Sequence, residues 1–202
     1  MAKFFDVVLS GDRETLEALK HAGFSGACAA LSGGARAEGV EGLEVFNGAL
    51  FESLHEYRKA RRSSASLVVV RGGDIGANKE IVREKGVDVL LDPVGFSSVN
   101  LDAETVTVAR EKGVRFGVSL ASFLELPPFK RAQLIGKWRF FSKVLGKKDF
   151  HPLFFSGAKN PSQVRPPREL AAFATVLGFS LDQGLRGLSS LPLSMIQGKR
   201  GA

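Results

Sequence analysis

The chain has 202 residues, 44% hydrophobic and 24% charged, a balance that supports a full core without staples and argues against disorder. A single cysteine, Cys28, excludes an internal disulfide framework, and no run approaches the roughly 20 apolar residues of a membrane helix. The net charge of +7 divides unevenly, with −2 on residues 1–100 and +9 on residues 101–202, an asymmetry that suits a polyanionic partner but also occurs in ordinary basic enzymes.

The start, Met1-Ala2-Lys3, leads at once into a strand-like run without a signal-peptide pattern, so a cytoplasmic, non-membrane location is expected. Phe4 to Leu9 reads as a buried strand, followed by a helix from Asp12 to Ala22 that Gly23 stops. Phe24 to Leu31 is the second strand. Leu43 to Phe46 is the third, with Asn47-Gly48 as a turn signal at its end. A polar helix over Ser53 to Arg62 precedes a fourth strand, Leu67 to Val70. The unit then repeats: a helix from Ile75 to Lys85, a strand from Val87 to Leu91, a helix from Leu101 to Lys112, and a strand from Val114 to Leu120. Leu153 to Phe155 supplies a seventh strand.

Short strands alternating with helices of about ten residues predict parallel β/α units covered by helices. A doubly wound open sheet would place a phosphate-binding fingerprint at its first turn, and Leu9-Ser10-Gly11-Asp12 lacks it. The expected fold is therefore a TIM-barrel-like (β/α) barrel, irregular, with about seven strands. Residues 1–202 form one domain in this reading, with 198–202 as a short, basic, flexible tail. Ligands of such barrels sit at the C-terminal strand ends, which singles out Asp6, Arg71, Asp92, Ser119 and Ser156.

Hydrolytic metal chemistry finds little support. The three histidines, His21, His55 and His151, are dispersed and no His-x-His occurs, which leaves Asp6, Glu44 and Asp92 as the candidate carboxylates for a divalent ion. Cys28 lies in an apolar strand with no neighbouring cation to activate it. The segment Arg71 to Lys79 matches no nucleotide-binding pattern, and Asp74 reads as a helix cap.

The basic residues carry more. Between Pro127 and Lys148 there are seven, Lys130, Arg131, Lys137, Arg139, Lys143, Lys147 and Lys148, and no acidic one. Pro127-Pro128 suits a helix start, Leu134, Trp138, Phe141 and Leu145 define an apolar stripe, and Arg139, Lys143 and Lys147 line the other face. Like charges at that spacing oppose one another unless an anion lies between them. Further on, Lys159 and Arg165 occupy a loop after the seventh strand, and Arg168 sits in the first turn of a helix, where a cation is favourable only beside an anion such as phosphate.

Ser156-Gly157-Ala158, Arg165-Pro166-Pro167-Arg168-Glu169-Leu170 and Leu177-Gly178 together resemble the C-terminal pattern of the barrel-shaped p30 subunit family of archaeal and eukaryotic ribonuclease P. Gly72-Gly73-Asp74, Asn78 and Val87-Asp88-Val89-Leu90-Leu91-Asp92-Pro93 are similar to the family's glycine turn and following strand, and the likeness runs in order over about residues 65 to 196, more faintly through Phe5-Asp6. Departures are Lys79 in place of an arginine, Ala121 where the family has an arginine, and Gln163 where it has an aspartate. The resemblance implies a non-catalytic subunit that binds and stabilises the catalytic RNA for removal of tRNA 5′ leaders. It implies as partners the ribonuclease P RNA, ribonuclease P protein component 2, other ribonuclease P proteins and, indirectly, precursor tRNA. It places Mg²⁺ on the RNA and no cofactor on the protein, and it implies kinship with metal-dependent phosphoesterase barrels. In this reading Lys79, Arg131, Arg139, Lys143, Lys159, Arg165 and Arg168 are the RNA phosphate contacts. Two other readings stay open: a phosphoesterase-like enzyme acting through Asp6, Glu44 and Asp92, and a basic protein-interaction scaffold without RNA.

Overall fold

The computed structural model describes residues 3–60, 65–95 and 100–198. Seven strands, β1 (Phe5–Val8), β2 (Gly26–Leu31), β3 (Glu44–Phe51), β4 (Val68–Arg71), β5 (Val89–Leu91), β6 (Arg115–Ser119) and β7 (Leu153–Phe155), pair in chain order. Every pair is parallel. The helices are α1 (Arg13–His21), α2 (Leu54–Lys59), α3 (Ile75–Ile81), α4 (Ala103–Lys112), α5 (Leu120–Leu124), α6 (Pro128–Lys147), α7 (Pro167–Val176), α8 (Leu181–Gly187) and α9 (Ser190–Gly198). The expected helix over Ser53 to Arg62 is shorter, and its last positions, with 199–202 of the expected tail, lie outside the described residues.

Strand side chains alternate between two sides, as the pleat requires. Phe5, Val7, Cys28, Ala30, Phe46, Leu50, Leu67, Val69, Val89, Leu91, Leu153 and Phe155 meet in one cluster, the barrel interior, together with Ile196 of α9. The intervening residues, among them Val68, Val70, Leu90, Phe116, Val118 and Phe154, pack outward with Trp138, Phe141 and Leu145 of α6. The barrel is thus a filled core, with its chemistry confined to the rims.

Asn47-Gly48 does not end β3, which continues to Phe51. Gly48 lies so close to Cys28 and the backbone of Ala30 that a Cβ would not fit, and Asn47 Oδ1 accepts the Ala37 N–H at 2.8 Å. Both turn-forming residues are therefore held in extended chain by contacts with β2 and the loop after it. No helix lies in that β2–β3 connection.

With seven strands, β1 and β7 close the ring without a regular ladder. Near one end, the Gly157 N–H donates to Val7 O at 3.1 Å and the Leu9 N–H to Ala158 O at 2.9 Å. At the other end, the Phe5 N–H finds Leu188 O, beyond α8, at 2.8 Å. The α8–α9 segment thereby satisfies a strand donor that a further strand would otherwise take.

Caps follow the sequence. Asp12, Ser53, Asp74, Asp102 and Ser119 each accept an N–H of the helix that follows. The glycine turn after β4 is tied by Asn78, whose Oδ1 accepts the Gly73 N–H at 2.9 Å while Nδ2 donates to Pro93 O and Asn100 O at 3.2 and 2.8 Å.

Candidate nucleic-acid interface

The C-terminal rim collects charged side chains that neutralise one another. Arg71, from the end of β4, donates to Glu52 at 2.5 Å and lies 3.7 Å from Asp92. Asp92, just past β5, accepts the Ser119 N–H at 3.0 Å and the Ser122 hydroxyl, and burial pushes its carboxyl above the usual range although Ser122, Ser119 and Arg71 pull the other way. Lys159 bridges to Glu125 at 2.8 Å. Glu52, Arg71, Ser119, Ser122, Glu125 and Lys159 line a cavity of about 440 Å³, and Asp92 lines a second one of about 230 Å³ that shares Arg71 and Ser122.

The three candidate metal carboxylates do not gather there. Asp6 is wholly buried between β1 and β7, its Oδ1 accepting the N–H groups of Val7 and Ser156 at 2.9 and 2.7 Å. Glu44 opens β3 beside Gly26, at the opposite end of the barrel from Asp92. Among the described residues no three His, Cys, Asp or Glu side chains are grouped to hold a metal ion. Ser156 is buried too, its hydroxyl accepting the Ala158 N–H at 3.1 Å. Cys28 is buried in the interior cluster.

The predicted cations fall into three groups. Arg139, Lys143 and Arg168 are exposed and form no ion pair among the described residues, as does Lys147 beside them. Lys79 is half-buried and Lys159 exposed, and both are paired: Lys79 reaches Asp102 at 2.7 Å and Glu104 at 3.1 Å. Although desolvation raises it, the hydrogen bonds from Lys79 and Thr105 bring the Asp102 carboxyl down to about 2. Arg131 and Arg165 donate to backbone, Arg131 to the carbonyls of Phe123, Leu124 and Leu126 at 2.8–3.2 Å and Arg165 to those of Ser162 and Val164 at 2.8 and 2.7 Å.

The long helix α6 dominates the basic surface. Leu134, Trp138, Phe141 and Leu145 are buried as their spacing predicts, and Arg139, Lys143 and Lys147 face solvent. Its middle abuts the end of α7, where Gly178 (φ 91) sits against Arg139 Cα and Ser142. Phe129 and Phe140, for which the sequence predicts no role, are 72% and 65% exposed. Their place on the wheel, opposite Trp138, carried the signal.

A filled, all-parallel seven-stranded (β/α) barrel with a self-neutralised rim and an unbalanced basic helix defines the class of protein. Residues 40–201 match the family described as RNase P subunit p30, and the chain belongs to that family. Ribonuclease P protein component 3 of Methanococcoides burtonii is 26% identical over 196 residues, covering 93% of this chain and 81% of the relative. The protein of the same name from Methanosarcina mazei is 30% identical over 166 residues, covering 80% and 70%. Among solved structures, a chain from the cryo-EM structure of archaeal ribonuclease P with mature tRNA superposes with a TM-score of 0.79 at 18% identity, covering 98% of this chain and 91% of that one. An amidohydrolase superposes with a TM-score of 0.63 at 14% identity, covering 100% and 75%. These likenesses bear out the expected barrel. No described helix is long and apolar enough to cross a membrane.

Proposed function

We propose that this chain is a non-catalytic protein subunit of ribonuclease P that binds and stabilises the RNA of that particle during removal of tRNA 5′ leaders. The match of residues 40–201 to the p30 subunit family carries this reading. The rim agrees with it, since Arg71, Asp92, Glu125 and Lys159 are engaged with one another or with neighbouring side chains. The chemistry and the Mg²⁺ it needs belong to the RNA, and the protein holds no cofactor. Its partners are the ribonuclease P RNA, ribonuclease P protein component 2 and the other protein subunits, with precursor tRNA reached through the assembly, and it works in the cytoplasm.

Of the seven predicted contacts, Arg139, Lys143 and Arg168 take phosphates directly, because nothing within the described fold neutralises them. Lys79 and Lys159 reach phosphate by exchanging a carboxylate partner. Arg131 and Arg165 serve mainly by holding the backbone from which the others project. Phosphate contacts of this kind fix position without reading sequence.

The test is reconstitution from purified RNA and protein subunits. Omitting this chain is expected to raise the Mg²⁺ needed for leader cleavage, while the chain alone cleaves nothing. Arg139→Ala, Lys143→Ala and Arg168→Ala should each weaken RNA binding evenly across sequences and lower the salt slope by about one. Phosphodiester turnover by the protein alone, abolished by Asp6→Asn, would overturn the reading in favour of an enzyme.

A further inference from the structure

Burying an exposed phenylalanine stabilises a protein, and a single one left in water calls for no explanation. Helix α6 leaves two. They are 11 positions apart, which at about 100° and 1.5 Å per residue puts them within roughly 20° on one stripe and about 16 Å apart along it. The stripe reads Phe129, Gln133, Gly136, Phe140, Lys143, Lys147, all exposed, with Arg139 on its flank. The buried side chains of the same helix, Leu134, Trp138, Phe141 and Leu145, centre on the opposite side. The two rings therefore take no part in packing α6 against the barrel. Gln133 and Gly136 between them present little bulk.

We propose that this face of α6 is a stacking platform for unpaired RNA bases, with Phe129 and Phe140 meeting base faces while Arg139, Lys143 and Lys147 hold the intervening phosphates. The proposal rests on the RNA-binding reading and names the part of the RNA bound at this site. Charge decides the occupant: the helix carries no acidic residue, and among the described residues Arg139, Lys143 and Lys147 have no ion-pair partner. A phosphate chain supplies the missing charge, and only unpaired nucleotides also offer planar faces to the rings. Base–aromatic stacking tolerates any sequence, and between the rings only Gln133 offers a side-chain hydrogen-bonding group on the stripe. A paired helix would engage the cations and leave the rings in water.

The test uses the full chain and two probes, an oligouridine strand of about 15 nucleotides and an RNA duplex of similar length, with affinity measured by fluorescence anisotropy at several salt concentrations. The emission of Trp138, the only tryptophan and a buried one, reports that each variant is folded. Phe129→Ala and Phe140→Ala are expected to weaken single-strand binding at least about fivefold each, with duplex binding changed less than about twofold. Phe140→Tyr restores the single-strand affinity and Phe140→Leu does not. Lys143→Ala weakens both probes and lowers both salt slopes.

If both probes bind and Lys143→Ala acts as described, yet the phenylalanine variants bind the single strand like the native chain, the platform is refuted and the RNA reading stands. Phe140→Leu acting like native, together with loss of a protein subunit from the reconstituted particle in Phe129→Ala/Phe140→Ala, assigns the face to a protein instead. Absence of salt-dependent binding to either probe and to the ribonuclease P RNA removes both readings.

Discussion

Ser156 gives its backbone N–H to the Asp6 carboxylate at 2.7 Å, a bond across 150 residues of sequence at the junction of β7 with β1. The second oxygen, Oδ2, is buried with no hydrogen-bond partner among the described residues. Burial pushes the Asp6 carboxyl up to about 7, against the hydrogen bonds from Ser156 and Val7.

Asp6 therefore titrates in the direction opposite to a salt-bridged acid. Unfolded, it loses its proton near 3.8; folded, it keeps it to about 7, so between these values the native state binds more protons and stability falls as pH rises. Urea unfolding at pH 5 and pH 8 is expected to show a native chain that is weaker at pH 8, by a few kcal/mol from this group. Asp6→Asn keeps an acceptor for both N–H groups and should flatten that dependence; equal pH slopes for the two proteins would refute the assignment.

Arg131 was expected at the RNA, and the geometry gives it another duty. Its guanidinium gathers three carbonyls around the end of α5 and the connection to α6. A lysine cannot reproduce that fork, so Arg131→Lys is expected to cost about 1–3 kcal/mol in denaturant unfolding. The folded variant should retain the native salt slope for RNA. A slope reduced by one unit with unchanged stability would return Arg131 to the interface.

Gly157 tests the closure of the barrel. It has φ 59, and a Cβ there would run into Ser119 Oγ and Cβ. Gly157→Ala should lower stability by more than about 2 kcal/mol through backbone strain and the clash. Adding Ser119→Gly should recover only the clash. Full recovery would show that backbone conformation contributes nothing there.

Asp92 has φ 47, which Asn and Asp tolerate better than other side chains. Asp92→Asn preserves an acceptor for the Ser119 N–H and should change stability by less than about 1 kcal/mol. Asp92→Ala strands the Ser119 and Ser122 donors and should cost about 2–3 kcal/mol. Equal effects of the two substitutions in thermal unfolding would count against this role.

Much of the fold was legible because most strands are short apolar runs followed by a helix with a side-chain cap, β2 and β7 being the exceptions. Gly23 and Gly113 mark the ends of α1 and α4, and Asp74 and Asp102 the starts of α3 and α4. The end of β3 was not, because Asn47-Gly48 is held extended by Cys28, Ala30 and Ala37, which lie elsewhere in the sequence. The cations illustrate the same limit. Spacing placed Arg139 and Lys143 on the open face of α6, yet Lys79 and Arg131 look equally available in sequence until Asp102 and the Phe123 carbonyl come into view.

The amide of Phe5 is answered by the carbonyl of Leu188. Exchange of that one amide proton with solvent therefore requires the α8–α9 segment to lift away, which makes the Phe5 N–H a reporter of local opening at the base of the barrel.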